Sequence, residues 1–403
     1  MGDASEHPRA QPCSSNWSKA SDTLRTTSTR DHLITDDHGK RSFQYLVAMF
    51  FVETFVWGFA TSFGVLFNFY RHDPRSPIKS DPNSKLILTL VGTISIGTIA
   101  GAAPLVSFWV AKKPGIRRRL MLFGLLTCTL SIFLSSYSYS AFHILLSQGI
   151  GYGIGGCALY FSALSHLPEW FEQKRGFATG VVFTGTGTGG LIFPLMLNSL
   201  LGRFGAKLAL QIVTGLFATP LLSAIFFIRP KLLTSKSNVA HQRCDSLTGQ
   251  SVPACDKPAP PNPRSFLGDL YRCLNASFWI YVLLNTVQST VFYLPGLYLP
   301  TYIDCLGRSS VTGSTLLSMV NAGTIFAQLA AGFLSDHYSP FLIGAIANAL
   351  GGASVLIFWG ALSHHSIAWL FVFAAAYSCT AGAWTSLYFQ VLKFFICGYI
   401  CLI

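Results

Sequence analysis

The chain has 403 residues and a net charge of +12, with 51% hydrophobic residues and only 11% charged residues. A soluble globular protein carries about twice that charged fraction, so the composition excludes a water-soluble fold and indicates a protein that lies in lipid. The basic residues lie between long apolar runs rather than in a stripe interleaved with aromatic residues, which argues against nucleic-acid binding.

The apolar part of the chain predicts membrane-spanning helices. Residues 1–43 are polar and predict a disordered tail. Ten segments follow that are long enough to cross about 30 Å of hydrocarbon as helices, and none shows the alternating pattern of a membrane strand. The predicted spans are residues 44–69, 86–110, 119–137, 141–165, 177–200, 206–228, 277–303, 311–335, 340–361 and 366–390. We therefore expect an all-α multi-pass membrane protein.

A proline-rich polar stretch at residues 229–276 divides the spans into two groups. The predicted units are a six-helix bundle at 44–228, this linker, an incomplete four-helix bundle at 277–390 and a divergent tail at 391–403. Placing the N-terminus in the cytosol puts 21 of the 28 Lys and Arg residues on the cytosolic side. Because cytosolic loops are enriched in basic residues, we expect the N-terminal tail and the linker to be cytosolic.

Four motifs resemble one family of transporters. The most specific, at residues 168–180, begins the fifth span and reads Pro-Glu-Trp-Phe-Glu-Gln-Lys-Arg-Gly-Phe-Ala-Thr-Gly. The others are Trp57-Gly58-Phe59, Gln148-Gly149-Ile150-Gly151-Tyr152-Gly153 and Gly332-Phe333-Leu334-Ser335-Asp336. Together they resemble fungal-type members of the monocarboxylate transporter family of the major facilitator superfamily.

This resemblance implies a major facilitator fold, with two six-helix bundles around a central cavity, alternating access and often proton-coupled uptake. It also implies the plasma membrane as the location, with an internal organelle membrane as the second choice. The family has twelve helices, so the chain is expected to be C-terminally truncated and to lack the last two.

Three positions depart from the charged pattern of the family. Members that carry monocarboxylates have a lysine in the first span where this chain has Thr61. In the eighth span they have an Asp and an Arg where this chain has Thr324 and Gln328. Because these neutral residues cannot balance a carboxylate, we expect a neutral or larger organic solute rather than one of the lactate or pyruvate type.

Glu53 is the one Asp, Glu, Lys or Arg residue that lies well inside a predicted span. Charge inside a membrane is costly and usually faces a cavity in which it has a function, so Glu53 is the predicted proton-coupling residue. The alternative is structural, with a protonated Glu53 against a neighbouring helix or near the water interface.

Polar and aromatic residues at helical spacing predict a solute-binding surface. They supply hydrogen bonds and aromatic stacking from the first, seventh, eighth and tenth spans. The predicted substrate-binding residues are Trp57, Thr61, Asn285, Gln288, Asn321, Thr324, Gln328 and Trp384. The alternative is that these side chains join helices by hydrogen bonds.

Glycines in the fifth span predict close helix packing, and charged residues beside that span and the eighth predict gating contacts. The predicted packing and gating residues are Lys174, Arg175, Gly180, Gly185, Gly189 and Asp336. The run Gly185-Thr-Gly187-Thr-Gly-Gly190 matches G-x-G-x-x-G, but it does not follow a strand, so we do not expect a nucleotide site.

These features predict a secondary active transporter of a small organic solute, working by proton-coupled symport, with the solute, protons and the lipid bilayer as its partners. A truncated or non-transporting membrane protein, such as a solute sensor, is the alternative, and a channel is a third reading. The sequence shows no catalytic constellation, no Walker A motif and no Cys/His spacing typical of a metal site. We therefore expect neither enzyme activity nor a cofactor or metal.

Overall fold

The computed structural model describes residues 39–76, 78, 84–171, 174–229, 276–307, 310–388 and 390–391. The predicted tail up to residue 38, most of the predicted linker and the divergent tail after residue 391 lie outside this part. Within the described residues every regular element is helical.

The helices before residue 230 form the N-terminal bundle. They are α1 (Lys40–Thr61), α2 (Phe63–His72), α3 (Ser84–Gly101), α4 (Ala103–Lys112), α5 (Arg117–Ser135), α6 (Ala141–Ile144), α7 (Tyr152–Leu164), α8 (Leu167–Trp170) and α9 (Arg175–Phe227). A 3-10 turn at Pro114–Ile116 precedes α5, and a π-helical segment at Leu145–Gly151 joins α6 to α7.

The helices after residue 275 form the C-terminal bundle. They are α10 (Ala276–Cys305), α11 (Ser310–Ser335), α12 (Pro340–Ser354) and α13 (Ala368–Ala381), with a π-helical segment at Val355–Ala361 after α12.

The longest helix, α9, is broken at Gly205. Its 53 residues would reach about 80 Å as one rod, more than twice the thickness of a bilayer core. Gly205 has φ 73° and ψ 177°, which residues with a Cβ rarely adopt. The break coincides with the loop predicted between the fifth and sixth spans, so the chain can reverse direction there.

Eight helices of the described part are long and apolar enough to cross a membrane. The sequence predicted ten spans. The count of eight takes α9 as a single span despite its break, and it does not include α10. The structure thus supports a multi-pass membrane protein, and the number ten stays a prediction.

Aromatic rings fill the core of the N-terminal bundle. The Tyr152 ring lies 5.0 Å from Phe59 and 5.9 Å from Phe217, and Phe217 also meets Phe55 at 5.9 Å. Such edge-on and tilted ring pairs add stability beyond the burial of their area. A smaller core around Leu370, Phe373 and Tyr377 holds the C-terminal bundle together. The outer faces carry exposed large apolar residues, as expected for surfaces that contact lipid.

The two bundles meet along α9 and α11. The contact begins where the backbone N–H of Gly176 donates to Asp336 and continues to Gly190, whose carbonyl accepts from the Asn321 side chain. We call the side of the molecule that carries Asp336 and the start of α9 the Asp336 end, and the opposite side the Asp73 end.

Candidate substrate and proton site

Glu53 is completely buried in the N-terminal bundle. Its Oε1 atom accepts a hydrogen bond of 2.5 Å from the Thr186 hydroxyl, which comes from α9. Its Oε2 atom is also buried, and it has no hydrogen-bond partner among the described residues. An unpaired buried oxygen normally costs about 1–3 kcal/mol, so this atom requires an explanation.

Glycines allow α9 to approach Glu53 this closely. A Cβ on Gly185 would lie 2.8 Å from the Cβ of Glu53, and one on Gly189 would lie 2.5 Å from the Thr54 carbonyl oxygen. Gly58 of α1 faces Gly189 at a similar distance. Any larger residue would push the two helices apart, so the crossing depends on these glycines.

Trp57 and Tyr160 extend the polar site around Glu53. Trp57 lies one helical turn after Glu53 on α1, and its ring meets the Tyr160 ring of α7 edge-on at 5.7 Å. The Trp57 indole nitrogen and the Tyr160 hydroxyl are both buried and lack hydrogen-bond partners among the described residues. The Tyr160 hydroxyl lies near both the Glu53 carboxyl and the Trp57 indole nitrogen, close enough for electrostatic interaction but outside good hydrogen-bond geometry.

Three unpaired polar atoms therefore share one small region. They are Glu53 Oε2, Trp57 Nε1 and Tyr160 OH, and they include an obligatory donor, an acceptor and a hydroxyl that can do both. We call this set the Glu53 cluster. Groups of this kind are satisfied by a bound solute or by water.

The predicted residues of α11 mainly contact other helices. Asn321 donates to the Gly190 carbonyl at 3.1 Å, and the Gln328 amide donates to the Thr385 hydroxyl at 2.9 Å. Thr324 is buried, and its hydroxyl donates within its own helix to the Val320 carbonyl. The Gln328 side-chain oxygen is buried without a partner in the described part of the chain.

Thr61 differs from its predicted neighbours on α1. Its side chain is exposed, and its hydroxyl donates to the backbone carbonyls of Trp57 and Gly58. The face of α1 thus runs from the buried Glu53 through the half-buried Trp57 to an exposed position towards the Asp73 end.

The predicted residues of α10 pair inside the C-terminal bundle. The Trp384 indole N–H donates to the Asn285 side-chain oxygen at 2.9 Å, and the Gln288 amide lies 3.5 Å from the Asn348 oxygen. Among the contacts described, these pairs do not touch the Glu53 cluster. The structure thus joins Glu53 with Trp57 and, separately, Asn285 with Trp384.

At the Asp336 end, a carboxylate of one bundle caps a helix of the other. The Asp336 oxygens accept from the backbone N–H groups of Gly176 at 2.6 Å and Phe177 at 2.8 Å. These N–H groups belong to the first turn of α9, where the helix dipole favours a negative charge. About one turn further along α9, a Cβ on Gly180 would lie 2.6 Å from the Gln328 carbonyl oxygen and 3.0 Å from the Cα of Gly332.

The two basic residues predicted for gating flank this contact. Lys174 precedes the first residue of α9, and Arg175 donates back to the Phe171 carbonyl at 3.4 Å. The nearby acid Glu169 pairs with Arg117, and the Nδ1 atom of His166 lies 3.2 Å from Glu169. This ion pair stays within the N-terminal bundle.

Sequence reasoning missed Thr186 and Tyr160. Thr186 lies in the glycine-rich run of the fifth span. The regular spacing of that run predicts helix packing by the glycines and gives no separate signal for the threonine. Tyr160 lies in an apolar span, where a tyrosine gives no signal of its own. No group of three His, Cys, Asp or Glu residues suited to a metal occurs among the residues that the structure describes.

Comparison with known proteins identifies the family. Residues 42–395 match the pattern of the Major Facilitator Superfamily. The chain belongs to this superfamily. Its members are membrane transporters rather than enzymes, which confirms the prediction that the chain is not an enzyme.

Curated relatives come from fungi and from a mammal. The MFS transporter asaE of Aspergillus flavus is 27% identical over 271 residues, which are 67% of this chain and 55% of that protein. The fujikurins efflux protein of Gibberella fujikuroi is 26% identical, covering 82% of this chain and 64% of the relative. Rat monocarboxylate transporter 13 is 24% identical, covering 90% of this chain and 76% of the relative. The chain therefore spans little more than half the length of the Aspergillus flavus transporter.

A solved structure shows the same fold. The major facilitator proton:xylose symporter XylE, bound to 6-bromo-6-deoxy-D-glucose, superposes with a TM-score of 0.60 at 14% sequence identity. The match covers 89% of this chain and 88% of that structure. The predicted major facilitator fold is thereby confirmed, whereas monocarboxylate specificity and C-terminal truncation stay predictions.

Proposed function

We propose that this chain is a secondary active transporter that moves a small organic solute by proton-coupled alternating access, with Glu53 as the proton carrier. The observation that supports this most is the completely buried Glu53 with one unpaired oxygen beside unpaired atoms of Trp57 and Tyr160. A carboxyl in such surroundings can exchange a proton when the cavity opens to water, and it can hydrogen-bond a solute when the cavity closes.

The charges of the described residues favour an uncharged solute. Every described Lys and Arg lies near a helix end or near the break at Gly205, away from the Glu53 cluster. An anionic solute in the cluster would face Glu53 without a compensating cation, which is costly in a dry site. A neutral aromatic or hydroxylated solute would instead satisfy the unpaired donor, acceptor and hydroxyl and would stack on Trp57 and Tyr160.

The contact of Asp336 with the start of α9 supports the gating part of the proposal. With the N-terminus in the cytosol and the protein in the plasma membrane, this contact would close the cytosolic side of the cavity. The exposed Thr61 would then lie on the path towards the outside. Opening to the cytosol would require Asp336 to leave the Gly176 and Phe177 N–H groups, which makes this contact a candidate gate.

The names of the relatives do not decide between a neutral solute and a monocarboxylate, or between uptake and efflux. One relative is called a monocarboxylate transporter and another an efflux protein. The absence of a described cation beside the Glu53 cluster favours a neutral solute over a monocarboxylate. Either direction is compatible with alternating access, because an inward proton gradient drives uptake by symport and efflux by antiport.

The test is uptake by the full chain reconstituted into liposomes with an imposed pH gradient. A panel of labelled neutral aromatic, polyol and monocarboxylate solutes would identify the substrate. We expect accumulation of a neutral solute that collapses with a protonophore. Glu53→Gln should lower gradient-driven accumulation about a hundredfold, because the substitution removes an essential proton-transfer group. It should leave solute exchange between the two sides of the membrane in place.

The matched control is Asp73→Asn, since Asp73 is an acid at the surface that pairs with Arg75 rather than with the cluster. This variant should keep its proton-driven uptake. Unchanged pH dependence in Glu53→Gln would remove Glu53 from the mechanism. Solute binding without any uptake would contradict the transporter proposal and support a solute sensor.

A further inference from the structure

An apolar groove runs along the lipid-facing side of the N-terminal bundle, between the first part of α1 and the last part of α9. It has a volume of about 310 Å³. Its walls include Phe43, Val47, Phe51, Pro220 and Phe227, and its floor is formed by small buried residues. The side chains of Phe43 and Phe227 are more than half exposed, so the groove opens outwards towards the hydrocarbon.

Basic residues surround the end of this groove that lies at the Asp336 end. Lys40 and Arg41 precede Phe43 on α1, and both are exposed. Arg229 follows Phe227 by two positions and donates to the Phe226 carbonyl at 3.2 Å. The guanidinium of Arg118 lies 5.7 Å from the centre of the Phe226 ring. Four cationic side chains thus lie where helix ends reach the membrane surface.

The acidic residues described near this end do not neutralise these cations. Glu169 is occupied by Arg117 and His166, and Asp336 is occupied by the start of α9. Membrane-surface clusters of Lys and Arg attract anionic lipids, and basic pockets between helices bind their head groups. An apolar groove that opens to the bilayer and ends in such a cluster matches both parts of a phospholipid.

We propose that this groove is a binding site for an anionic glycerophospholipid. One acyl chain would lie between α1 and α9, and the phosphate would contact Arg41 and Arg229, with Lys40 and Arg118 beside them. The site lies on the outside of the bundle, so it is separate from the Glu53 cluster. It does not depend on the identity of the transported solute. A lipid bound there would bridge the first and sixth predicted spans.

Native mass spectrometry of the purified full chain would test this proposal. The protein in detergent is titrated with phosphatidylserine and with phosphatidylcholine of the same acyl chains. We expect phosphatidylserine to bind about tenfold more tightly, because its extra negative charge meets the basic cluster. The double variant Arg41→Gln with Arg229→Gln should bring phosphatidylserine to the affinity of phosphatidylcholine. Its matched control, Lys112→Gln with Arg119→Gln, should change the affinity by less than about twofold.

A second pair of variants tests the groove itself. Ser223 is an exposed lining residue, so Ser223→Phe should fill the groove and lower the affinity for both lipids about fivefold or more. Leu222→Phe adds an aromatic ring to the neighbouring exposed position outside the groove and should have no effect. If Ser223→Phe does not fold, Ser223→Leu takes its place.

Three results would overturn the proposal. The first is equal affinity for the two lipids. The second is an equal loss of binding in the control variants, which would indicate diffuse attraction to the surface. The third is complete displacement of the lipid by the same concentration of glycerol 3-phosphate, which would show that the acyl chain contributes nothing.

Discussion

The two bundles treat their buried polar groups differently. In the described residues, the buried side-chain nitrogen and oxygen atoms without partners belong to the N-terminal bundle, with the Gln328 oxygen as the exception. In the C-terminal bundle the amides mostly pair with one another or with hydroxyls, as in Trp384 with Asn285 and Gln328 with Thr385. Both bundles are apolar, so the difference lies in pairing rather than in composition.

This difference separates two roles that look alike in the sequence. A paired side chain in lipid joins helices, and removing it costs a modest amount, about 0.6 kcal/mol on average. An unpaired buried donor or acceptor has already lost its water, and a solute that pairs with it regains that free energy. On our proposal, the solute would bind at the Glu53 cluster, and the pair of Trp384 with Asn285 would serve helix packing.

The largest expected effect is on the helix crossing that holds the Glu53 cluster together. Gly189→Ala would place a Cβ 2.5 Å from the Thr54 carbonyl oxygen and 2.7 Å from Gly58 Cα. Because both contacts are with backbone, we expect a loss of about 1–3 kcal/mol in the free energy of unfolding. Unfolding of the detergent-solubilised protein by SDS, followed by circular dichroism, would measure it.

The control for this crossing is Gly202→Ala on the same helix, since a Cβ there would meet nothing within 4 Å. It should leave stability unchanged or raise it by up to about 1 kcal/mol, because alanine favours a helix. Equal effects of the two substitutions would show that the close approach of α1 and α9 is not needed for stability.

The second prediction concerns the unpaired hydroxyl of Tyr160. Tyr160→Phe removes no hydrogen bond of good geometry, only weaker contacts of the hydroxyl with Glu53 and Trp57, so the free energy of unfolding should change little. Affinity for the transported solute should fall about tenfold, which corresponds to about 1.4 kcal/mol for one lost hydrogen bond to the solute. Equilibrium binding of the labelled solute, with a melting curve for each variant, would measure both.

Tyr152→Phe is the matched control, because the Tyr152 hydroxyl donates to the Val56 carbonyl at 2.8 Å. It should lower stability by about 1 kcal/mol and leave solute affinity unchanged. The reverse pattern, with Tyr160 affecting stability and Tyr152 affecting affinity, would break the link between unpaired groups and solute binding.

The sequence predicted the helical class and the position of Glu53 because both depend on local properties. Long apolar runs and a single internal acid can be recognised without any tertiary contact. The role of Gly189 in close helix packing could also be predicted, since glycines at intervals of about four residues are typical of close helix crossings. The helix that each glycine faces could not be read from the pattern.

The partners of Glu53 could not be predicted for the same reason. Thr186, which hydrogen-bonds Glu53, is 133 positions away from it, and Tyr160 lies near Glu53 from a third helix without a hydrogen bond of good geometry. Asn285 and Trp384 are 99 positions apart in the sequence. Whether they bind a solute or each other depends on the relative rotation of the two helices that carry them. Hydrophobic periodicity fixes the lipid-facing side of a helix but not which inner neighbour each polar side chain meets.

The third prediction tests the contact between the bundles. Asp336→Asn removes the negative charge at the start of α9 and leaves one acceptor oxygen for two N–H groups. We expect hydrogen exchange of the Gly176 and Phe177 amides to become about fivefold faster, which corresponds to about 1 kcal/mol for a charge at a helix N-terminus. Peptide-level hydrogen exchange would detect this change, and Asp73→Asn at the opposite end should not reproduce it. Unaltered protection would show that Asp336 does not hold the bundles together.

The smallest effect is expected for Trp384→Phe, and it decides between two readings of the C-terminal bundle. The substitution keeps the aromatic volume and removes the N–H that donates to Asn285. If the pair only joins helices, stability should fall by about 0.6 kcal/mol, and solute affinity should change by less than about twofold. The same binding and melting measurements used for Tyr160→Phe would show this. A tenfold loss of affinity would instead mean that Trp384 turns towards the solute in another state of the transport cycle. The binding surface would then extend across both bundles, as the sequence predicted, and paired side chains in a single conformation could no longer be assigned to packing alone.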